Sequence, residues 1–157
     1  MSHLDKEGKT VFHKVKDVRA LPGLKLSVQF VDGVIKIYDI SQLLEKLPIF
    51  KVLQDNEKLF YSVAVDVGGY GIIWDDEVDL SCDELWEHGE KVESPFEGLL
   101  SLADATNLWG LSESTLRKAI SYGKLIPGVD VCKYGKQWVV SVEAMVREYG
   151  NPIKNAS

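Results

Sequence analysis

Between Ser112 and Ser121 the sequence SESTLRKAIS sets Glu113, Ser114, Arg117, Lys118 and Ser121 on one side of a 3.6-residue period. Leu116, Ala119 and Ile120 fall on the other side, where they would face a packing partner. The polar side carries groups that read a nucleic-acid duplex. A guanidinium or ammonium binds phosphate oxygens and guanine edges, a serine hydroxyl donates to phosphate or base, and a carboxylate accepts from the cytosine amino group. Arg117 and Lys118 are therefore expected at phosphate or a guanine edge, Ser114 and Ser121 at phosphate or base, and Glu113 at cytosine. Ser112 is an N-cap at the same end of the helix and joins the candidate contacts. Taken alone, Arg117 and Lys118 would be an ordinary solvated helix face; the pattern around them raises them above that.

That pattern is the stretch 99–123, LLSLADATNLWGLSESTLRKAISYG, which reads as two helices across a tight turn. Ala103, Ala105 and Thr106 are small and allow close crossing, Gly110 suits a sharp turn with positive φ, and Leu111 plugs it. Downstream, Val129–Tyr134 and Gln137–Val140 are strand-like around Gly135-Lys136. Such a hairpin is a wing that would hold Lys133, Lys136 and Gln137 over backbone phosphates. Ser141 then caps a last helix, Val142–Tyr149, with Gly150 and Pro152 beyond it. Trp109 is expected to pack the core rather than stack on a base, and Trp138 to anchor the wing. The competing reading is a helical hairpin that only packs, binding a partner helix or its own copy.

Other chemistry-bearing clusters read more plainly. Asp75, Asp76, Glu77 and Asp79 could hold a divalent cation or do acid–base work, or offer a charged face to a basic protein. Their spacing is not that of a calcium loop and no nucleophile accompanies them, so a solvated turn is the ordinary reading. Gly68-Gly69-Tyr70-Gly71 lacks the Lys-Ser/Thr of a nucleotide loop and reads as a turn between strands. His13 and His88 stand apart from each other and from Cys82 and Cys132, which argues against zinc and for reduced, structural cysteines. Phe30, Tyr38, Phe50 and Trp74 read as core.

The 157 residues, 45% hydrophobic, suffice for one medium domain or two small ones, with no low-complexity tract and no apolar run long enough to cross a bilayer. The opening MSHLDKEGKT carries no signal-peptide core, and a cytoplasmic location is expected. The net charge of −6 is uneven: through Gly98 there are 11 Lys/Arg against 19 Asp/Glu, and from Leu99 onward 7 against 5. A balance of +2 attracts phosphate weakly, so binding should be modest and salt-sensitive unless two copies act together.

The acidic part begins with strand-like alternation from Phe12 to Asp39, broken by the turn signals Pro22-Gly23 and Asp32-Gly33. Ser41–Lys46 reads as a short helix capped by Ser41 and stopped before Pro48, and Asp55–Phe60 as a helical turn. Ser62–Val67 and Gly71–Trp74 read as strands, and Ser81–Trp86 as a helix with a capping box made by Ser81 and Glu84 and closed by Gly89. EKVESPFEG, residues 90–98, reads as a linker.

The run VKDVRALPGLKLSVQFVDGVIKIYDISQLLEKLPIFKVL, with VDVGGYGIIWDDEVDLSCDELWEHG, resembles the bacterial domain of unknown function 2442 over 13–89. That resemblance implies an α+β domain with an antitoxin-like or regulatory role, and it brings no established catalytic residue to carry over. LADATNLWGLSESTLRKAI and KYGKQWVVSVEAM resemble the small winged helix-turn-helix domains of excisionase and mercury-resistance-type regulators, with Thr106 in place of the usual Ala and an acidic Glu113 on the reading face. The expectation is an α+β protein: an acidic domain at 1–90 for dimerisation, sensing or toxin binding, a linker at 91–98, and a winged helix-turn-helix at 99–157. Its function would be sequence-specific binding of double-stranded DNA by a transcriptional regulator, without enzyme activity, cofactor or metal. A homodimer would sit on a palindrome with half-sites about one helical turn apart. The regulator could be an autorepressing antitoxin with a small basic toxin as partner. The alternatives are an interaction module for a basic protein, and an N-terminal domain that binds a metal or small ligand.

Overall fold

In the computed structural model, which describes residues 13–153 and the backbone of residues 3–4 and 10–11, the chain divides into two units, 1–94 and 95–157. In the first, β1 (His3–Leu4) and β2 (Thr10–Val11) pair as a small antiparallel ladder. Phe12, where the alternation was expected to begin, lies outside the described residues.

The alternation that follows becomes β3 (Val15–Leu21), β4 (Lys25–Phe30) and β5 (Ile35–Asp39), antiparallel with Val18 opposite Val28 and Leu26 opposite Tyr38. Leu26, Val28 and Phe30 are fully buried while Lys25 between the turns is exposed, as a period of two requires. Both turn signals act: Gly23 and Gly33 carry φ of +82° and +89°, and the Asp32 carboxylate accepts from the Val34 amide at 3.1 Å.

The short helices differ in detail from expectation. The turn at Ile40–Leu43 is a 3₁₀ helix capped by Asp39 rather than Ser41, since the Asp39 carboxylate accepts from both the Ser41 amide (2.9 Å) and hydroxyl (2.6 Å). Pro48 opens a 3₁₀ turn that runs into α1 (Lys51–Asp55), and Asn56 breaks the chain and caps α2 (Glu57–Phe60) by accepting from the Leu59 amide. β6 (Ala64–Val65), β7 (Gly71–Ile73) and β8 (Asp79–Ser81) form a second antiparallel sheet, with Gly68 and Gly69 in the turn at positive φ.

Ser81 then caps α3 (Cys82–His88), accepting from the Glu84 amide at 3.1 Å. The return half of the expected capping box is replaced by a tertiary bond: the Glu84 carboxylate accepts from the buried Tyr38 hydroxyl at 2.7 Å and lies 3.1 Å from His88 Nδ1. β9 (Glu90–Lys91) pairs with β5, completing the order β3-β4-β5-β9, so the start of the expected linker is sheet. Phe30, Tyr38, Phe50, Trp74 and Leu85 share one core between the sheets and α3, and burial pushes the Cys82 thiol pKa up, leaving it an inert core group.

In the second unit β10 (Leu99–Ser101), α4 (Leu102–Trp109), α5 (Glu113–Tyr122), β11 (Val131–Tyr134), β12 (Gln137–Ser141) and α6 (Val142–Tyr149) follow in order. The sheet order is β10-β12-β11, with Leu100 opposite Val140. β10 takes three residues that the sequence reading gave to the first helix, because Ser101 rather than an earlier residue caps α4, accepting from the Asp104 amide at 3.1 Å. Both units are α+β. Among the described residues no helix is long and apolar enough to cross a membrane.

Tyr38→Phe keeps the ring in the core but removes the donor to Glu84. A hydrogen bond to a charged group contributes about 1.5–3 kcal/mol, so a loss of that order is expected in denaturant unfolding, with the fold retained by circular dichroism. An unchanged midpoint would show that water replaces the phenol at no cost.

Candidate nucleic-acid interface

The orientation of α5 is set by the turn before it. Gly110 adopts φ +66°, ψ +32°, a left-handed conformation that costs a side-chain-bearing residue roughly 1 kcal/mol or more. The Leu111 amide donates to the Thr106 carbonyl at 3.1 Å, with the Leu111 side chain half-buried. Ser112 caps α5 by accepting from the Thr115 amide at 3.1 Å. Leu116 and Ala119 are then buried, Ile120 half-buried, and Ala105 of α4 is buried with them. Of the three small residues expected at the crossing, Ala103 is exposed, because it lies a quarter-turn off the buried stripe of Leu102, Ala105, Leu108 and Trp109.

All nine candidate contact residues are exposed: Ser112, Glu113, Ser114, Arg117, Lys118 and Ser121 along α5, and Lys133, Lys136 and Gln137 on the hairpin. On α5 they make two rows, Glu113–Arg117–Ser121 and Ser114–Lys118, spaced by four residues. The rows are not equally available. Glu113 Oε1 lies 3.2 Å from the Arg117 guanidinium, an exposed i,i+4 pair, and the Ser121 hydroxyl donates to the Arg117 carbonyl at 3.2 Å. The Ser112 hydroxyl is engaged by the cap and by Thr115 Oγ1 at 2.8 Å and Ser114 Oγ at 3.2 Å. Lys118 and Lys136 have no ion pair among the described residues.

The hairpin is a tight one. Tyr134 pairs with Gln137 across Gly135-Lys136, and Gly135 takes φ +61°. Lys133 stands opposite Trp138, its ammonium 5.8 Å from the indole centroid. Trp109 is core, its indole N–H donating to the Gly150 carbonyl at 2.7 Å.

What sequence reasoning missed is the brace behind this surface. Asp130 is buried and accepts two bonds from Arg147 of α6, at 2.8 and 3.1 Å, and one from the Ile126 amide at 2.9 Å. The Ser141 amide donates to the Asp130 carbonyl at 2.9 Å, so one residue joins the segment leaving α5, the end of β12 and α6. Lys124 lies 4.4 Å over the Tyr149 ring, a second tie to α6. No periodic pattern marks Asp130, since its partner is 17 positions away. In the first unit, the Asp75 carboxylate accepts from the Glu77 and Val78 amides, both at 2.9 Å, and shapes the acidic turn. Among the described residues no group of three His, Cys, Asp or Glu is placed to hold a metal ion.

Comparison with known proteins follows the same division. Residues 15–91 match the family model described as a protein of unknown function (DUF2442), and residues 92–154 match a model described as a helix-turn-helix domain. The chain joins a DUF2442 segment to a helix-turn-helix domain. The second match starts at 92 and takes in β10. The chain is also similar to a solved structure from Nitrosomonas europaea, a "Putative DNA Binding Protein", at 20% identity and a TM-score of 0.41, covering 73% of this chain and 79% of that one. No curated protein matches the chain.

Arg147, and next the Ile126 amide, hold the Asp130 carboxyl below the usual carboxylate range. A depressed folded-state pKa contributes stability above the ordinary carboxylate pKa and loses it as pH falls through the folded value. Asp130→Asn should therefore lower the thermal midpoint of the helix-turn-helix unit at neutral pH, and the gap to wild type should close as both are taken to acid. A gap that stays constant across that range would assign the effect to packing rather than charge.

Proposed function

We propose that this chain is a sequence-specific DNA-binding transcriptional regulator whose α5 enters the major groove, two copies binding together. The observation that carries this reading is the exposed polar face of α5, held behind a left-handed glycine turn and a serine cap in a domain that matches a helix-turn-helix model. The hairpin is consistent with it: Lys133, Lys136 and Gln137 are exposed at and beside its tip, suited to backbone phosphates.

Within this reading the α5 residues divide by availability. Lys118 is the ready phosphate or guanine contact, Ser114 shares its row, and Arg117 must leave Glu113 or carry it along to a cytosine. The domain's small positive balance favours two copies on two half-sites over one alone. The finer reading of an autorepressing antitoxin draws on the acidic first unit, where Asp76, Glu77 and Asp79 are exposed on the turn that Asp75 shapes and would suit a small basic protein.

The test is a titration of the full chain against a labelled duplex from upstream of its own gene, repeated at several salt concentrations. Arg117→Ala with Lys118→Ala should abolish retention at moderate salt and flatten the salt dependence by about two contacts, since each neutralised phosphate contributes a slope of roughly −0.9. Glu113→Gln frees Arg117 and should tighten non-specific binding by a few-fold, roughly the worth of an exposed pair. Failure to retain any duplex at low salt, or a double variant indistinguishable from wild type, would overturn the assignment.

A further inference from the structure

Among the described residues of the first unit, four of the six exposed large apolar side chains lie in one short segment. Leu47 and Ile49 are each 47% exposed, Val52 38% and Tyr61 47%, between the 3₁₀ turn at Pro48 and the end of α2. Phe50 and Leu53 of the same segment are buried in the core, so Ile49 and Val52, three residues apart, share the outward side. The inward side anchors the segment and leaves the outward side apolar without a fold-internal reason.

The charges around this face are unlike those of the rest of the unit. Through Gly98 acidic residues outnumber basic by eight, yet the exposed charges between positions 44 and 62 are Glu45, Lys46, Lys51, Asp55, Glu57 and Lys58, three of each sign. A basic partner protein would find its complement at the acidic turn of Asp76, Glu77 and Asp79, not on this neutral face. A second copy of an acidic chain, in contrast, can approach only where its own charge is balanced. Interspersed signs let a two-fold pairing set each charge against its opposite.

We propose that the face carrying Leu47, Ile49, Val52 and Tyr61 is the surface through which two copies of this chain pair. Stable interfaces engage roughly 20–30 residues a side around an apolar centre, and the 44–62 segment with the adjoining Leu21–Leu24 turn is of that size. The groove beside it, lined by Leu24, Leu53, Glu57, Phe60 and Tyr61, gives a protruding side chain of the second copy a place to lodge. This inference deepens the pairing of copies in the proposed function, and so rests on that reading, while its test does not use DNA.

The experiment is sedimentation equilibrium of the full chain without DNA over the micromolar range. Wild type is expected at twice the chain mass. Ile49→Asp with Val52→Asp should weaken self-association by about tenfold or more, the effect of losing a central apolar contact. Val67→Asp, at a 90% exposed position elsewhere on the unit, should leave it unchanged. Tyr61→Glu serves as an independent break should the first variant fail to fold by circular dichroism. A wild-type monomer at all concentrations, or patch variants that pair as wild type does, would overturn the proposal. So would a monomer that gains mass only when a small basic protein is added. Binding of DNA by a monomer would sink this face and spare the DNA reading; a dimer that ignores DNA would do the reverse.

Discussion

The geometry of the second unit depends on one constraint, the left-handed turn at Gly110 followed at once by the Ser112 cap. Together they fix where α5 starts and which way its first turn points. Leu116 and Ala119 then meet Ala105 and the buried stripe of α4, and everything polar on α5 is left facing solvent. A change of one residue in the turn would rotate α5 by about 100°, sending Arg117 or Lys118 toward the core. Packing thus selects the exposed face, and the exposed face carries the chemistry.

The second determinant is electrostatic. A helix with a lysine, an arginine and a glutamate four residues before that arginine is a guarded cation source: exposed pairs of this kind are individually weak, yet they lower the field that a phosphate backbone meets. The brace of Asp130 and Arg147 works in the opposite sense: a doubly bonded ion pair, its carboxylate buried and its guanidinium half-exposed, ties the elements behind the surface rather than adding charge in front of it. The result is a unit built firmly but charged lightly, for which acting in pairs is a physical advantage. The neutral apolar face of the first unit is the proposed means of that pairing within an otherwise acidic domain.

Much of this was legible in the sequence where local chemistry decides. Gly110, the caps at Ser81, Ser112 and Ser141, the hairpin across Gly135-Lys136 and the alternation of β3 to β5 are each set by residues within a few positions of one another. The misreadings have a common cause, which is competition from partners distant in sequence or one step away. Asp39 outcompeted Ser41 as a cap because an ionised carboxylate is the stronger acceptor, and Glu84 bonds Tyr38, 46 residues away, instead of closing its own capping box. β9 and β10 are strands two and three residues long, too short for a period to show, and exist because β5 and β12 offer open edges. The six candidates on α5 could be named because helix periodicity sorts inward from outward, and the three on the hairpin because they flank the Gly135-Lys136 turn; the pairing of Glu113 with Arg117 and the buried Asp130 required the folded chain.

The central claim is that the exposed face of α5 reads base sequence in DNA. Selection of bound duplexes from a randomised pool tests it most directly, run in parallel with wild type and with the Ser114→Ala, Arg117→Ala, Lys118→Ala triple variant. The account predicts that wild type enriches an inverted repeat with half-sites about ten base pairs apart, and that the variant enriches none. No enrichment by wild type, or the same motif from both proteins, would contradict it.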